Sequence, residues 1–587
     1  MIKKSAFLTR LLAGMVAASF SLPAGGQEVT APPPDRELTE ALADIQSLLP
    51  PLIKEARIPG LQIALIRDGK IAWHGNFGLK NTTTGESVTD ETIFEAASFT
   101  KPVFAYYAMK LVEQGVLSLD KPLVSYVPAE LAEKFLGHPL DEKGFHRDWF
   151  EKITARHILS HSSGMPHGES GTPFPLYFEP GTKWKYSADG YFFLQRVIES
   201  LKGDKLENLM QKEVLDPLGM TRSCLVWRDD YEKTMANGHG FFGRPEAFRK
   251  RTESHAGASL YTTAEDYAKF VCAVLNGEGL RPETLKEMLT PRIDLDKDKG
   301  LGWSLGFGTQ ADARGLAIWQ WGDFGIFRNY IMAYPAEKSG VVYLTNSFYG
   351  LGISQEVAVH GLGAQPLASI ALNYWHYDSP VYRIGWELAE KGPGVAAELP
   401  ELAKKFPDAF SKDGIGFLTG IFDRTDKQPA MIALLQFYGK AHPRSGQAQL
   451  GLAQALFRTG DRGQARIYLK KAGRAKEDKV QPFLVKWDLQ YIKALDKPLK
   501  LKESYLRRIA GAYGPRRLKV RNGRLYYFRE GGSPPDDRAL VAMSKDTFVL
   551  ETTSSFRLKI EFDKRGNPVK AVGLYDDGRR DETVRNR

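Results

Sequence analysis

Residues 98–115 read Ser98-Phe99-Thr100-Lys101-Pro102-Val103-Phe104-Ala105-Tyr106-Tyr107-Ala108-Met109-Lys110-Leu111-Val112-Glu113-Gln114-Gly115. Apolar or aromatic side chains at Val103, Tyr107, Met109, Leu111 and Val112 predict a helix, and Gly115 closes it. Ser98 and Lys101 stand at i and i+3 at its start, so they share a face. A serine is a weak nucleophile until a base takes its proton. A lysine desolvated at the positive end of a helix has its pKa driven down toward that task. The plain alternative is a surface serine and lysine on an ordinary helix, and the surrounding chain decides between them.

Upstream, residues 61–77 alternate apolar and polar around Asp68-Gly69, which predicts a hairpin. Downstream, helical periodicity covers 191–202 and 263–276, and strands are predicted at 302–307, 316–321, 330–334 and 340–345. Strands at both ends with helices between them give an α+β fold over residues 35–375, an antiparallel sheet flanked by helices. Residues 395–495 change character. Helices are predicted at 447–459 and 462–475 with Gly460-Asp461 between them, and small residues such as Gly451, Ala453 and Ala465 resemble the tetratricopeptide pattern. A degenerate repeat precedes them at 431–441, so this is a helical-repeat segment. Residues 503–587 are rich in short β-runs, at 518–520, 524–528, 548–552, 556–562 and 569–575, and predict a small all-β domain, a barrel or a sandwich.

The chain has 587 residues and a net charge of +10. The excess is uneven: counted along the sequence, residues 1–400 hold 41 Lys+Arg against 48 Asp+Glu, and residues 401–587 hold 39 against 22. Lys3, Lys4 and Arg10 precede an apolar run at 11–22, and Ala24-Gly25-Gly26 offers a cleavage site, so residues 1–26 are expected to be a signal peptide. The expected location is periplasmic or secreted, with no transmembrane segment after signal removal. Nucleic acid is then excluded as a partner. A small-molecule or peptide substrate is expected, and the basic third is left with anionic cell-envelope polymers or a merely solvated face. Cys224 and Cys272 are too few for a closed zinc site, and the helical setting of Cys272 favours free thiols over a bridge. No cofactor or metal is expected. His157 and His161 have an i, i+4 spacing, but no Glu follows His157 to make a metalloprotease pattern, so helix-end and turn hydrogen bonds are expected of them.

Further segments add specificity. His157-Ile158-Leu159-Ser160-His161-Ser162-Ser163-Gly164-Met165-Pro166 closely resembles a landmark of the class C β-lactamase-related serine hydrolases. Pro180-Gly181-Thr182-Lys183-Trp184-Lys185-Tyr186-Ser187, Asp216-Pro217-Leu218-Gly219-Met220, Ala256-Gly257-Ala258-Ser259 and the run 340–346 resemble later landmarks in family order. The resemblance spans about residues 45–375. It implies that Ser98 is the nucleophile and half of an oxyanion hole, that Lys101 keeps it proton-poor, and that Tyr186 is the partner acid/base. It also implies departures. Ala188 stands where the family has the Asn of Tyr-x-Asn. Gly322-Asp323-Phe324-Gly325 matches the third motif, with Asp323 in place of a cation and the Ile326 N–H as second oxyanion donor. An aspartate there repels a substrate carboxylate by about 1–4 kcal/mol. The expected enzyme is therefore a serine hydrolase acting on an ester or an amine-bearing peptide more than on a β-lactam. The alternatives are a classical β-lactamase or D-Ala carboxypeptidase, and a catalytically degenerate binding protein that uses its helical segment. Asp323 reads equally as a salt-bridged structural residue, and Arg328 as a surface residue more than as a replacement for the lost cation.

Overall fold

The hairpin sets the frame. Strands β1 (Gly60–Arg67) and β2 (Lys70–Asn81) are joined by Asp68 and Gly69 at φ +52° and +68°, the left-handed pair that a two-residue turn needs. In this computed structural model, residues 38–168, 173–371, 376–422, 428–530, 537–576 and 578–586 are described. The expected signal peptide at 1–26 lies outside them. Two compact units are seen, one running to Ser379 and the other from Pro380 onward.

The first unit is built on a nine-stranded antiparallel sheet. Besides β1 and β2 it contains β3 (Glu86–Ser87), β6 (Ile293–Asp296), β7 (Leu301–Trp303), β8 (Gly308–Asp312), β9 (Gly315–Asp323), β10 (Arg328–Tyr334) and β11 (Ser339–Thr345). Their order is β3-β2-β1-β11-β10-β9-β8-β7-β6. Strand β1 is buried on both faces, as a central strand must be when helices cover each side. Ala64 and Ile66 enter the main helical core. Leu65, on the opposite face, lies with Ile45 around Gly361 and so joins helix α1 (Leu38–Glu55) to the helix Ser354–Leu362. A separate pair, β4 (Phe94–Ala97) and β5 (Leu260–Thr262), carries the start of helix α2 (Thr100–Glu113). Residues Thr100 to Met109 of α2 are all buried, so it is a core helix rather than an amphipathic surface one. Helices α3 (Ala188–Lys202) and α4 (Ala264–Asn276) begin at Ser187 and Thr263, whose side chains accept backbone N–H groups of the first turn.

The expected strand at 302–307 differs from the observed chain. Residues 304–307 form a turn in which Ser304 N donates to Phe307 O, and a separate strand, β8, follows. Cys224 is buried and Cys272 half-buried, and both are free thiols. Among the described residues, no helix is long and apolar enough to cross a membrane.

The second unit opens with helices from Pro380–Lys391 onward and includes α5 (Gly446–Arg458), α6 (Arg462–Arg474) and α7 (Pro482–Asp496). The tight turn between α5 and α6 uses Gly460 at φ +89°, and Asp461 caps α6. An eight-stranded antiparallel sheet follows, from β12 (Gly511–Tyr513) in sequence order to β19 (Arg580–Val584). A bridge between Tyr513 and Arg585, with Asn586 N donating to Ala512 O at 2.8 Å, brings its ends together, so the sheet is a nearly closed barrel rather than a sandwich. Leu518, Leu525, Leu540, Phe548 and Leu558 fill it. Helix α7 is locked to this barrel. Trp487 Nε1 donates to Ser554 O at 2.6 Å, Tyr491 Oη donates to Leu550 O at 3.0 Å, and the Arg557 guanidinium lies 3.6 Å from the Trp487 ring centroid. The helical segment and the barrel therefore pack together in one unit.

Candidate active site

The turn from β4 into α2 presents Ser98. Ala97, just before it, has φ +51°, a conformation an L-residue adopts only where its surroundings impose it. Several bonds impose it here. The Thr100 hydroxyl donates to Ala97 O at 2.7 Å and accepts from Leu260 N at 2.9 Å, tying α2 to both short strands. From α4, the Tyr267 hydroxyl donates to Phe99 O at 3.1 Å. Ser98 is 8 % exposed and Lys101 is fully buried.

The Lys101 amine donates to Ser98 Oγ at 3.1 Å and to Gly257 O at 2.8 Å, and it lies 4.6 Å from the centroid of the Tyr186 ring. Burial pushes its pKa from 10.5 down to about 7, against the pull of Asp189. The amine is therefore poised to be neutral near neutral pH. Tyr186 moves the other way. Burial raises its phenol above the ordinary value, Asp323 adds to this, and hydrogen bonds with Ser98 and Gln320 oppose it. Tyr186 thus stays a phenol where Lys101 loses its proton.

Tyr186 is held between rings. The His161 ring lies 4.2 Å from it and the Trp321 ring 4.7 Å. His161 is buried, at φ +57°, and its Nδ1 accepts from Ser187 N at 3.1 Å, which places the proton of the neutral ring on Nε2. Burial and the nearby Lys101 hold its pKa well below the usual histidine value. His157 completes a capping box with Thr154 at the start of its own short helix. Among the described residues no group of three potential ligands is placed to hold a metal.

The third-motif residues are arranged differently from the expectation. Asp323 Oδ1 accepts from Arg328 Nε at 3.1 Å and from Gly325 N at 2.6 Å, so its charge is matched within its own loop. The expected carboxylate repulsion by Asp323 is correspondingly reduced, and Arg328 is its partner rather than a lone surface residue. Gly325 and Ile326 form the turn between β9 and β10; Ile326 packs in the core, and its carbonyl accepts from His239 N. The side chain that reaches the phenol belongs to Gln320, three residues upstream of Asp323. Its Nε2 donates to the Tyr186 hydroxyl at 3.1 Å, to Trp321 O at 2.9 Å and to Ser98 O at 3.4 Å. Gln320-Trp321-Gly322 and Asp323-Phe324-Gly325 share the same x-x-Gly spacing, so the spacing by itself does not choose between them.

Gly322 fixes how closely β9 approaches the nucleophile turn. A Cβ on it would lie 2.3 Å from Ala96 O, far inside contact distance. Gly322→Ala is expected to push β9 and the Ser98 turn apart and to lower kcat/KM by about a hundredfold, the cost of an ångström-scale misplacement. Ester hydrolysis beside a thermal melt checks this, with activity falling before the fold is lost.

The family model described as Beta-lactamase matches residues 45–362. The chain belongs to the beta-lactamase family. It is a serine hydrolase of the β-lactamase/penicillin-binding class. Esterase EstB of Burkholderia gladioli is 25% identical over 378 residues, which cover 52% of this chain and 91% of that protein. Lovastatin esterase of Penicillium rubens is 28% identical over 267 residues, 38% of this chain and 66% of its own length. A solved class C beta-lactamase aligns at 22% identity with a TM-score of 0.47, covering 56% of this chain and 97% of that one. The relatives to which this chain is similar thus include proteins named as esterases.

Proposed function

We propose that the protein is an exported hydrolase that transfers an acyl group from an ester or amide to water through an acyl-Ser98 intermediate, with esters and amine-bearing peptides ahead of β-lactams. The observation that carries this reading is the Lys101 amine, 3.1 Å from Ser98 Oγ in a dry setting that brings its pKa to about 7. As Oγ attacks the carbonyl carbon, the neutral amine takes the serine proton. Negative charge collects on the carbonyl oxygen. The N–H of Ser98 is one donor for it. The other follows from the register of β9: Phe324 N donates to Phe327 O across the hairpin, so by ladder alternation the Asp323 N–H points to the opposite edge. This replaces the Ile326 N–H of the sequence reading. Tyr186, a phenol bonded to Ser98, gives a proton to the leaving oxygen and regains one from Lys101. Water then repeats the sequence on the acyl-serine and frees Ser98.

Two features support esters. The relatives named above include esterases. Ala188 has no amide with which to grip a substrate's own amide, and its backbone N–H donates to His167 Nδ1 at 3.0 Å. A panel of p-nitrophenyl esters, D-amino-acid amides and nitrocefin tests the reading. Ester turnover is expected to exceed nitrocefin turnover by at least about tenfold in kcat/KM, which corresponds to 1.4 kcal/mol of transition-state preference. Efficient nitrocefin hydrolysis returns the protein to the β-lactamases, and inertness to every acyl donor makes it a binding protein.

A further inference from the structure

Gln320 is buried at 0 % exposure, yet its side chain sits among the reacting groups. Which way its amide faces is settled by its partners. The Ser98 and Trp321 carbonyls only accept, so the atom facing them is the donor Nε2. Oε1 is then the remaining atom, and it is buried with no donor. A buried carbonyl left in this state costs about 1–3 kcal/mol, so stability does not explain the glutamine. Its Nε2 instead reaches the Tyr186 hydroxyl and the Ser98 backbone together, which fixes the phenol over the nucleophile.

The charge around the phenol points the same way. Lys101 faces it from α2 and loses its proton near pH 7. His161 is buried and neutral, and His167 stands edge-on at 5.2 Å. Asp323 is matched by Arg328, and the arginines beside Phe324, Arg249 and Arg251, converge on the buried Glu95. Where a cation in the third motif would meet a substrate carboxylate, this strand offers a neutral amide.

We propose that Gln320 is the positioning residue for Tyr186 and the residue that sets the charge preference of the site, selecting acyl donors that carry no carboxylate near the scissile bond. The proposal rests on the acyl-Ser98 reading and adds the chemical class of substrate. Carboxylate-bearing donors meet a site without a matching charge, whereas neutral donors lose nothing by it.

The test compares wild type, Gln320→Lys and Gln320→Glu on p-nitrophenyl butyrate, on mono-p-nitrophenyl glutarate, and on the p-nitrophenyl ester of 4-aminobutyrate. Gln320→Lys is expected to raise the kcat/KM ratio of the anionic over the neutral ester at least tenfold. It is also expected to move the limb near pH 7 downward, because a second ammonium close to Lys101 disfavours its charged form. Gln320→Glu is expected to lower the anionic ratio and to raise that of the ammonium ester. These ratios cancel any general loss from misfolding, and either folded variant suffices to read them. Ratios within twofold of wild type, with Ser98 still labelled by a fluorophosphonate, overturn the proposal and leave the acyl-serine reading standing. A wild-type protein that neither labels nor turns over any ester removes both.

Discussion

Ser98→Ala is expected to lower ester turnover by roughly 10⁴- to 10⁶-fold and to abolish covalent labelling by a fluorophosphonate, while the unfolding midpoint stays within a few degrees of wild type. The size follows from what is removed. The nucleophile and its base act as one unit, so loss of the oxygen leaves only substrate binding and the oxyanion donors. The modest stability effect follows from the local contacts. The turn is held by the Thr100 and Tyr267 hydroxyls acting on the backbone, and the serine side chain meets the amine, which keeps Gly257 O as a second acceptor. A labelled Ser98→Ala protein, or one with more than a hundredth of wild-type activity, refutes the assignment.

Lys101→Arg is the second large effect. In the wild type the base must be uncharged to accept the serine proton. Its pKa is depressed to about 7, so the charged form dominates below that value and the neutral form above it. Activity is therefore expected to rise as pH rises through about 7 and then to level. An arginine is never deprotonated in this range. Lys101→Arg is expected to lose about 10²- to 10⁴-fold in kcat at pH 8 and to abolish the limb near pH 7. A limb that persists in the variant assigns it to another group. Stopped-time assays with a neutral ester from pH 5 to 9 read both quantities.

Much of the first unit and of its site is legible in the amino acids, for a physical reason. Elements with local signatures are read correctly: Asp68-Gly69 makes its turn, and Ser187, Thr263 and Asp461 start their helices within a few residues of the expected positions. Ser98, Lys101 and Tyr186, quoted from two motifs, lie together. What escaped depends on pairing between distant strands. β8 is short and follows a turn that reads as continuing strand, and β12 and β19 gain their place by meeting each other. Gln320 escaped for a related reason. Its role is set by the register of β9 beside the Ser98 turn, and no property of the glutamine itself marks it. The charge of Asp323 left two readings open because its partner, Arg328, lies across a hairpin whose pairing the sequence does not state.

The two sheets end in opposite ways. A terminal strand exposes a row of N–H and C=O groups to which another polypeptide can add, the first step of aggregation. The large sheet keeps its outermost strands poor templates. β3 has two residues, both exposed, and β6 places Asp294 and Asp296 at alternate positions. In the eight-stranded sheet β12 has three residues and β19 carries Arg580, Asp581 and Glu582, and the two strands also meet at Tyr513 and Arg585. Closure thus adds to brevity and charge, and opening that seam would turn a sealed wall into two borders guarded by those two features alone.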